Sequence, residues 1–552
     1  MSTNSRSPAK WTAKPTTEET AQPRVRRNDY SVLHPPVIGQ WDPALPVSIV
    51  IPAHGGADKL GVTLAALAAQ TYPAHLTEVI VVDDGSDPPL RLPEIVPENT
   101  RIIRNGADGW GSAHAFHTGV GHADGDVILR LDADMLAYKE HVEAQARWHH
   151  LADYLVVLGG KRLTDYTPGQ LPPARAYESV SAGTADALFD WDSSSRHWVE
   201  DIFDRYDDLR TATHRAFTVA VGATMSLSRR LYHAAGGMDA ELVLGGDTEF
   251  GYRAAQAGAV FIPERDAQSW HLGMSAMVRH RTAGARFRDP FIANRVPLLR
   301  DRRKAPGRQW LVPYIDVVVD ANGSSHEEVR ATVDGVLASS LSDIRVSLLG
   351  PWSSLTDERR PPLTDPLLDL NLLRWRYGHD GRVRLVEAIP DSAAPAPFRF
   401  TCPAGWVPTA GALHRLVKLA DEHYYGLVSL ALPGQVSDRA LARLERTAAF
   451  SRAAFLRAPA EDVDDLVHDL FGSYWLDGTE WALLPAVEVP PATWPTDWKG
   501  EAQRWRAEAE KWKTEATDLK KRLRAKESSP STQPASNSVR HRIKRLARSL
   551  KL

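Results

Sequence analysis

The chain has 552 residues, with 66 Lys and Arg against 69 Asp and Glu. That length exceeds what one hydrophobic core supports, and a net charge of -3 gives the whole molecule no basis for holding nucleic acid. The single cysteine, Cys402, excludes an internal disulfide or a cysteine-rich zinc site and fits a reducing compartment.

Residues 1–45 are polar, rich in Pro and Thr, and carry no apolar stretch of signal-peptide type, so they are expected to be disordered. No apolar run anywhere approaches the roughly 20 residues of a membrane helix, so a cytoplasmic location is expected. Order is expected from Pro46. VSIVIPA (47–53) is a short, β-rich apolar run suited to a strand buried on both faces. In the following GADKLGVTLAALAAQTYP, Leu60, Leu64, Leu67 and Ala68 recur at helical spacing, and Pro73 lies past the end. EVIVVDDGS (78–86), RIIRN (101–105) and DVILRLDAD (126–134) read as further strands, with a helix around 113–121. Strand–helix–strand alternation implies a parallel sheet whose ligands bind beyond the carboxyl ends of its strands. Ser193–Thr213 is polar and expected to be loop. FTVAVGATMSLSRRLYHAAGG (217–237) resumes order, GGDTEFGYRAAQAG (245–258) is a loop entering a helix, VFIPE is a short strand and SWHLG closes the unit.

Four features fall at strand ends or loops: Asp83-Asp84, Asp132 with Asp134, Asp247 with Glu249, and Trp270-His271. Acids gathered at one sheet edge repel one another unless a cation intervenes, and Mg²⁺ or Mn²⁺ prefers oxygen ligands. Residues i and i+2 of a strand share a face, so Asp132-Ala133-Asp134 can offer one carboxylate to an ion and another to a nearby sugar hydroxyl. His114, His117 and His122 have a spacing that suits no tight zinc site.

The segment 46–273 resembles family 2 inverting glycosyltransferases on the nucleotide-diphospho-sugar-binding GT-A fold, with VSIVIPA, VVDDGS, RNGADGWGSAHAFHTGVGHADGDVILRLDADM, GGMDAELVLGGDTEFGYRAAQAGA and WHLG in the family's order. The resemblance implies an α/β GT-A domain over 46–300. It implies a divalent metal, Mg²⁺ or Mn²⁺, and a nucleotide-diphosphate sugar donor, most often a UDP-sugar. The acceptor it implies is a hydroxyl of a glycan, a cell-surface polymer or a lipid-linked saccharide. It also implies roles. Pro52 and Ala53 border the base, Asp84, with Asp83 beside it in the binding site, hydrogen-bonds it, and Arg104 lies near the base or phosphates. Asp132 contacts the ribose or metal, Asp134 coordinates the metal, and His271 completes the metal site. Asp247 is the catalytic base, with Glu249 as its substitute. Two departures stand out: Gly246 occupies a place where many members carry Glu, and Ala53-His54-Gly55-Gly56 replaces a tyrosine-asparagine start. A composition rich in Ala, Arg and Asp points to a GC-rich bacterial genome.

In the second half, residues 312–350 lay beside 45–85 as strand, turn, amphipathic helix and strand. Where the first has VVDDG the second has SLLGP, and APFRFTCPAGWVPTAG parallels the VILRLDADML segment without carboxylates. Residues 310–490 are therefore either a degenerate, non-catalytic GT-A-like copy or another α/β domain. Beyond it, Trp498, Trp505, Trp512 and Leu519 alternate with Ala502, Ala509, Ala516 and Leu523, a coiled-coil seam over 498–526 expected to give a homo-oligomer. A linker (527–538) leads to VRHRIKRLARSLKL (539–552), a basic amphipathic helix expected to touch anionic membrane on the cytoplasmic side. Two rivals are a nucleotidyltransferase, which needs a Gly-rich loop and lysine that VSIVIPAHGGADKL does not supply, and a non-catalytic scaffold, which the retained acids oppose.

Overall fold

The computed structural model describes residues 22–433 and 441–486, apart from 275–278, 306, 357, 360, 459–460 and 482, together with six helical residues between 507 and 517. Of the segment 498–526, only Ala507, Glu510, Lys511, Lys513, Thr514 and Thr517 belong to this set; the eight seam residues, residues 1–21, the linker and the basic tail lie outside it. Among the described residues, no helix is long and apolar enough to cross a membrane.

The first domain is built by β1 (Val47–Ala53), β2 (Thr77–Asp83), β3 (Thr100–Arg104), β4 (Val127–Leu131), β5 (Met135–Ala137), β6 (Leu155–Gly159), β7 (Arg162–Thr164), β8 (Ser195–Arg196), β9 (Thr224–Ser228), β10 (Val260–Glu264) and β11 (Ser269–Leu272). Its helices are α1 (Ala57–Leu67), α2 (Ser112–Gly121), α3 (His141–His149), α4 (Pro173–Ser181), α5 (Val199–Arg205), α6 (Arg229–Ala234), α7 (Gly246–Gln256) and α8 (Arg281–Arg295). Seven strands form a mixed sheet in the order β10-β6-β9-β4-β1-β2-β3, in which only β9 runs against its neighbours. The continuous apolar run of β1 follows from burial on both faces. Val47, Ile49 and Ile51 meet Leu60, Leu64 and Leu67 of α1, while Val50 meets Phe116 and Val120 of α2. The carboxyl ends of β1, β2, β3, β4 and β6 all open on one edge. A smaller sheet, β5-β11-β7-β8, stands beside that edge and carries His271.

Two expectations are corrected. Residues 22–45 are not disordered: Val25, Tyr30 and Leu33 are buried. The amide of Asn28 donates to the carbonyls of Leu209 (3.0 Å) and Phe261 (2.9 Å) and accepts from Phe261 N (2.9 Å), pinning this segment to the first domain. The stretch 193–213 is not all loop either. Val199 and Phe203 of α5 turn into the core, and Arg196 pairs with Glu200 and Asp204, both at 2.7 Å.

The second domain holds β12 (Ile315–Asp320), β13 (Ile344–Leu349), β14 (Val383–Val386), β15 (Phe398–Thr401), β16 (Trp406–Pro408), β17 (Leu427–Ala431), β18 (Leu441–Arg446), β19 (Ser473–Asp477) and β20 (Leu483–Pro485). Its sheet order, β14-β13-β12-β15-β18-β17-β19, repeats that of the first sheet strand for strand, with the one reversed strand, β18, at the place of β9. The short β16–β20 ladder repeats β5–β11. The second domain therefore shares the topology of the first. Register aligns the two residue by residue. Val47 faces Val127 as Ile315 faces Phe398, and His271 faces Met135 as Pro485 faces Trp406. Asp132-Ala133-Asp134 thus corresponds to Pro403-Ala404-Gly405, and His271 to Pro485. One helix is also missing. Residues 387–397, between β14 and β15, form no helix where the first domain has α2 between β3 and β4.

Candidate active site

At the nucleotide end, the two adjacent acids part ways. Asp83 is buried, and both of its oxygens accept backbone amides, from Ser86 (2.9 Å) and Leu90 (3.1 Å). Burial would raise its pKa, but those hydrogen bonds and the nearby Arg104 hold it below the usual carboxylate range. Asp83 therefore shapes the turn after β2, a correction to the ligand role implied for it. Asp84 is half-buried. It accepts from Asn105 Nδ2 (2.6 Å) and Gly111 N (2.7 Å), and its own amide donates to Ala53 O (2.8 Å). Asn105 in turn accepts from Thr118 Oγ1 (3.0 Å) and contacts His114 Nδ1 (2.9 Å), so His114 belongs to the support of Asp84 and not to a metal site. A carboxylate offers about four acceptor positions, so Asp84 retains capacity for a ligand. Pro52 and Ala53 end β1 beside it, and Arg104 ends β3, exposed.

The second group lies at the end of β4. Asp134 Oδ1 is 3.6 Å from His271 Nε2, and its Oδ2 is 3.7 Å from Lys59 Nζ. His271 is buried, with Nδ1 at 2.7 Å from the carbonyl of Gly273. A carbonyl only accepts, so Nδ1 donates its proton there and Nε2 is the ring nitrogen turned toward the carboxylate. With Nδ1 held by a carbonyl, as in metal-binding histidines, Nε2 and the Asp134 carboxylate present two donor atoms that a cation can share. Burial raises the pKa of Asp134, His271 draws it down, and Asp132 raises it further. Oxygen and imidazole donors fit Mn²⁺ and, less closely, Mg²⁺. Among the described residues no three His, Cys, Asp or Glu side chains form a complete ligand set. Protein ligands alone would leave the ion open to diphosphate oxygens and water.

The third group is joined to the second through a short turn before β9. Asp132 N donates to Ala223 O (3.0 Å), and Gly222 N donates to Asp247 Oδ2 (3.0 Å). Successive residues of one turn thus hold the Asp132 backbone and the Asp247 side chain. Gly222 leaves room for the Arg130 guanidinium: a Cβ there would stand 2.3 Å from its Cζ and displace it from its place 3.5 Å from Asp132. Asp247 sits in the first turn of α7, where the helix dipole favours a carboxylate. The glycine before it has a steric cause, since a Cβ at Gly246 would lie 2.9 Å from the Cβ of Ala113. A Glu at 246 has no room.

Glu249 is not at the site, which corrects its implied role as substitute base. It is buried and bound by both nitrogens of the Arg253 fork, at 2.6 and 2.7 Å, while Arg253 also donates to the carbonyls of Ala235 and Gly237. Replacing Glu249 by Ala leaves that guanidinium buried and unpaired. The expected result is a loss of about 3–5 kcal/mol in denaturant unfolding. Turnover per folded molecule should stay within a few-fold of the parent; a collapse of turnover in well-folded protein would return Glu249 to the chemistry.

Lys161 is the residue that sequence reasoning missed. It follows β6 at the shared carboxyl edge and is buried, and its ammonium has no hydrogen bond or ion pair among the described residues. Burial pulls its pKa down to about 8, against the attraction of Asp132, Asp247 and Asp134. Beside it, the ring of His197 keeps a buried Nδ1 without a partner, and burial with the charge of Lys161 pushes its pKa down to about 3. The available signal was LVVLGGK: an apolar run ending in two glycines and a charge, the same punctuation as VVDDG.

Residues 48–226 match the family model for glycosyl transferase family 2. An uncharacterized glycosyltransferase of Bacillus subtilis (strain 168), YfnE, is 27% identical over 255 residues, 41% of this chain and 64% of that protein. Glycosyltransferase AglE of Haloferax volcanii is 31% identical over 101 residues, 18% of this chain and 33% of the other. The chain thus spans less than two thirds of the length of either relative. Among solved structures, GalNAc-T7 with UDP, GalNAc and Mn²⁺ is matched at 16% identity and a TM-score of 0.29, over 47% of this chain and 54% of that one. The matched span carries the strands that end at Asp84 and at Asp132-Ala133-Asp134, and over residues 48–226 the first α/β domain of this chain belongs to glycosyl transferase family 2.

Proposed function

We propose that the chain transfers a sugar, with inversion, from a nucleotide-diphosphate sugar, a UDP-sugar by preference, to a hydroxyl of a glycan, cell-surface polymer or lipid-linked acceptor. The observation that carries this reading is the 222–223 turn, which ties Asp132 to Asp247 and so sets the diphosphate end beside the base. Asp84 and the ends of β1 and β3 supply the base and ribose side. Asp134 and His271 Nε2 would hold a divalent cation, which offsets the charge of the departing diphosphate. Asp247, anchored through Oδ2, takes the proton of the acceptor hydroxyl as that oxygen attacks the anomeric carbon from the face opposite the diphosphate, and configuration inverts.

Lys161 is placed for the sugar itself. Base and ribose contacts lie beyond β1–β3, the metal pair beyond β4, and Lys161 beyond β6, among the three carboxylates. An ammonium on a buried stem with no protein partner among the described residues is available to a ligand oxygen. Lys161→Met keeps the length and removes the charge. Transfer should fall roughly 10- to 100-fold, the worth of a charged hydrogen bond. Stabilisation by UDP with Mn²⁺ should change little; a UDP shift lost along with transfer would move Lys161 to the diphosphate.

The test of the whole reading is thermal unfolding of the full chain with a panel of nucleotide sugars, with Mn²⁺ and with EDTA. Binding to the folded state alone raises stability by about 2.7 kcal/mol at a hundredfold excess over Kd. One nucleotide class should shift the midpoint only when metal is present. A panel with no metal-dependent shift overturns the proposal.

A further inference from the structure

The second domain lost the acids of its active edge, yet it holds a charged cavity at the opposite edge. The amino ends of β13 and β14 meet the segment 308–313 around a cavity of about 210 Å³. Arg308, Arg345, Arg382 and Arg384 line it, and the one acid among the lining residues is Asp343. That acid is already committed, to Arg303 (2.8 Å) and to Tyr314 N (3.2 Å). Arg382 is paired with Asp380 at 3.0 Å. The other three arginines are not balanced. Arg345 reaches Asp316 only at 4.0 Å, Asp316 already accepts from Ser347 Oγ (2.9 Å), and Arg345 Nε is buried without a partner. Arg384 makes no ion pair among the described residues. Arg308 makes none either and lies 4.7 Å from the ring centre of Trp310.

Arg345 and Arg384 share a face, because Ser347, two residues after Arg345, stands opposite Arg384. Burial and the neighbouring charge of Arg384 both lower the pKa of Arg345. This is the sheet face that α2 covers in the first domain and that no helix covers between β14 and β15 in the second. A face covered by a loop instead of a helix needs only polar residues of either sign. Three unbalanced guanidiniums around one hollow exceed that need, and like charges set close together are a standing cost.

We infer that this cavity binds a phosphate-bearing ligand, with Arg345 and Arg384 presenting their forks to its oxygens and Arg308 closing the mouth. Planar guanidinium forks match phosphate geometry, and the volume suits a phosphate to a sugar phosphate. The ligand comes either from a nucleotide or from a phosphorylated saccharide. The inference does not depend on the transfer reaction.

The test is isothermal titration of the full chain in EDTA, which denies the first domain its cation, with inorganic pyrophosphate, UDP and glucose 1-phosphate in turn. At least one should bind. Tighter binding of UDP identifies a nucleotide source, and tighter binding of glucose 1-phosphate a saccharide source. Arg384→Gln touches no structural partner and should weaken binding roughly tenfold or more, as should Arg345→Gln. Asp134→Ala should leave it unchanged. The unliganded unfolding midpoint of each variant reports its folding. The inference is overturned if none of the three ligands binds, if folded Arg384→Gln binds as the parent does, or if Asp134→Ala removes the binding.

Discussion

Replacing Asp247 by Asn should lower transfer by about 10²- to 10⁴-fold, the usual contribution of a positioned general base. Asn is isosteric and its carbonyl can still accept from Gly222 N, so the turn before β9, and with it the placement of Asp132, should survive. Metal-dependent thermal stabilisation by the donor nucleotide should therefore match the parent within a few-fold. The dissociation of the two readouts is the informative part. Loss of donor binding along with transfer would make Asp247 a scaffold for the donor and not the base. Retained transfer would leave no base in the cleft, because Gly246 has no side chain and Glu249 is locked to Arg253. The acceptor is unidentified, but donor hydrolysis by water passes through the same base and supplies a rate without it.

The strands that were legible share one property: they are apolar on both faces. VSIVIPA, EVIVVD and VILRL could be read because burial on two sides forces a continuous run, and the acids at their ends stand out because Asp is unfavourable in a strand. The identity of an acid was legible, but its partner was not. Nothing near Asp83 in sequence separates a carboxylate that closes its own turn from one that meets a ligand; that depends on whether the amides of Ser86 and Leu90 fold back to it. Glu249 was half legible, since Arg253 stands at i+4. Residues 22–45 were opaque for a different reason. Their anchors are isolated, Val25, Tyr30, Leu33 and one Asn28 amide bonded to residues 181 and 233 positions away, and they produce no periodicity. The repeat was visible at the first helix and both flanking strands, yet its completeness needed the sheet order. The loss of carboxylates hides the repeat where side chains are compared and leaves it intact where hydrogen bonds are.

Asp134 should separate stability from binding in opposite directions. In the absence of metal its charge lies near Asp132 and is partly buried, with only Lys59 at 3.7 Å and His271 at 3.6 Å to offset it. Its pKa is raised on folding. An acid whose pKa rises on folding costs stability at any pH above the folded value, and the cost is relieved as pH falls through that value toward the unfolded one. Asp134→Asn removes the charge and so removes that cost. At neutral pH in EDTA, the variant should unfold at a midpoint equal to or above that of the parent. With Mn²⁺ and UDP present the order should reverse: the parent gains and the variant does not, with affinity for the pair falling about 100-fold or more. His271→Gln, which keeps bulk and a polar end, should lose about 10- to 100-fold, the usual effect of disturbing one member of a metal site and its support. A variant that loses stability in EDTA would mean that Asp134 is a structural partner of Lys59. A variant that keeps the full Mn²⁺-dependent shift would detach the Asp132-Ala133-Asp134 segment from cation binding. Either result is readable without knowing the sugar, the acceptor or the linkage.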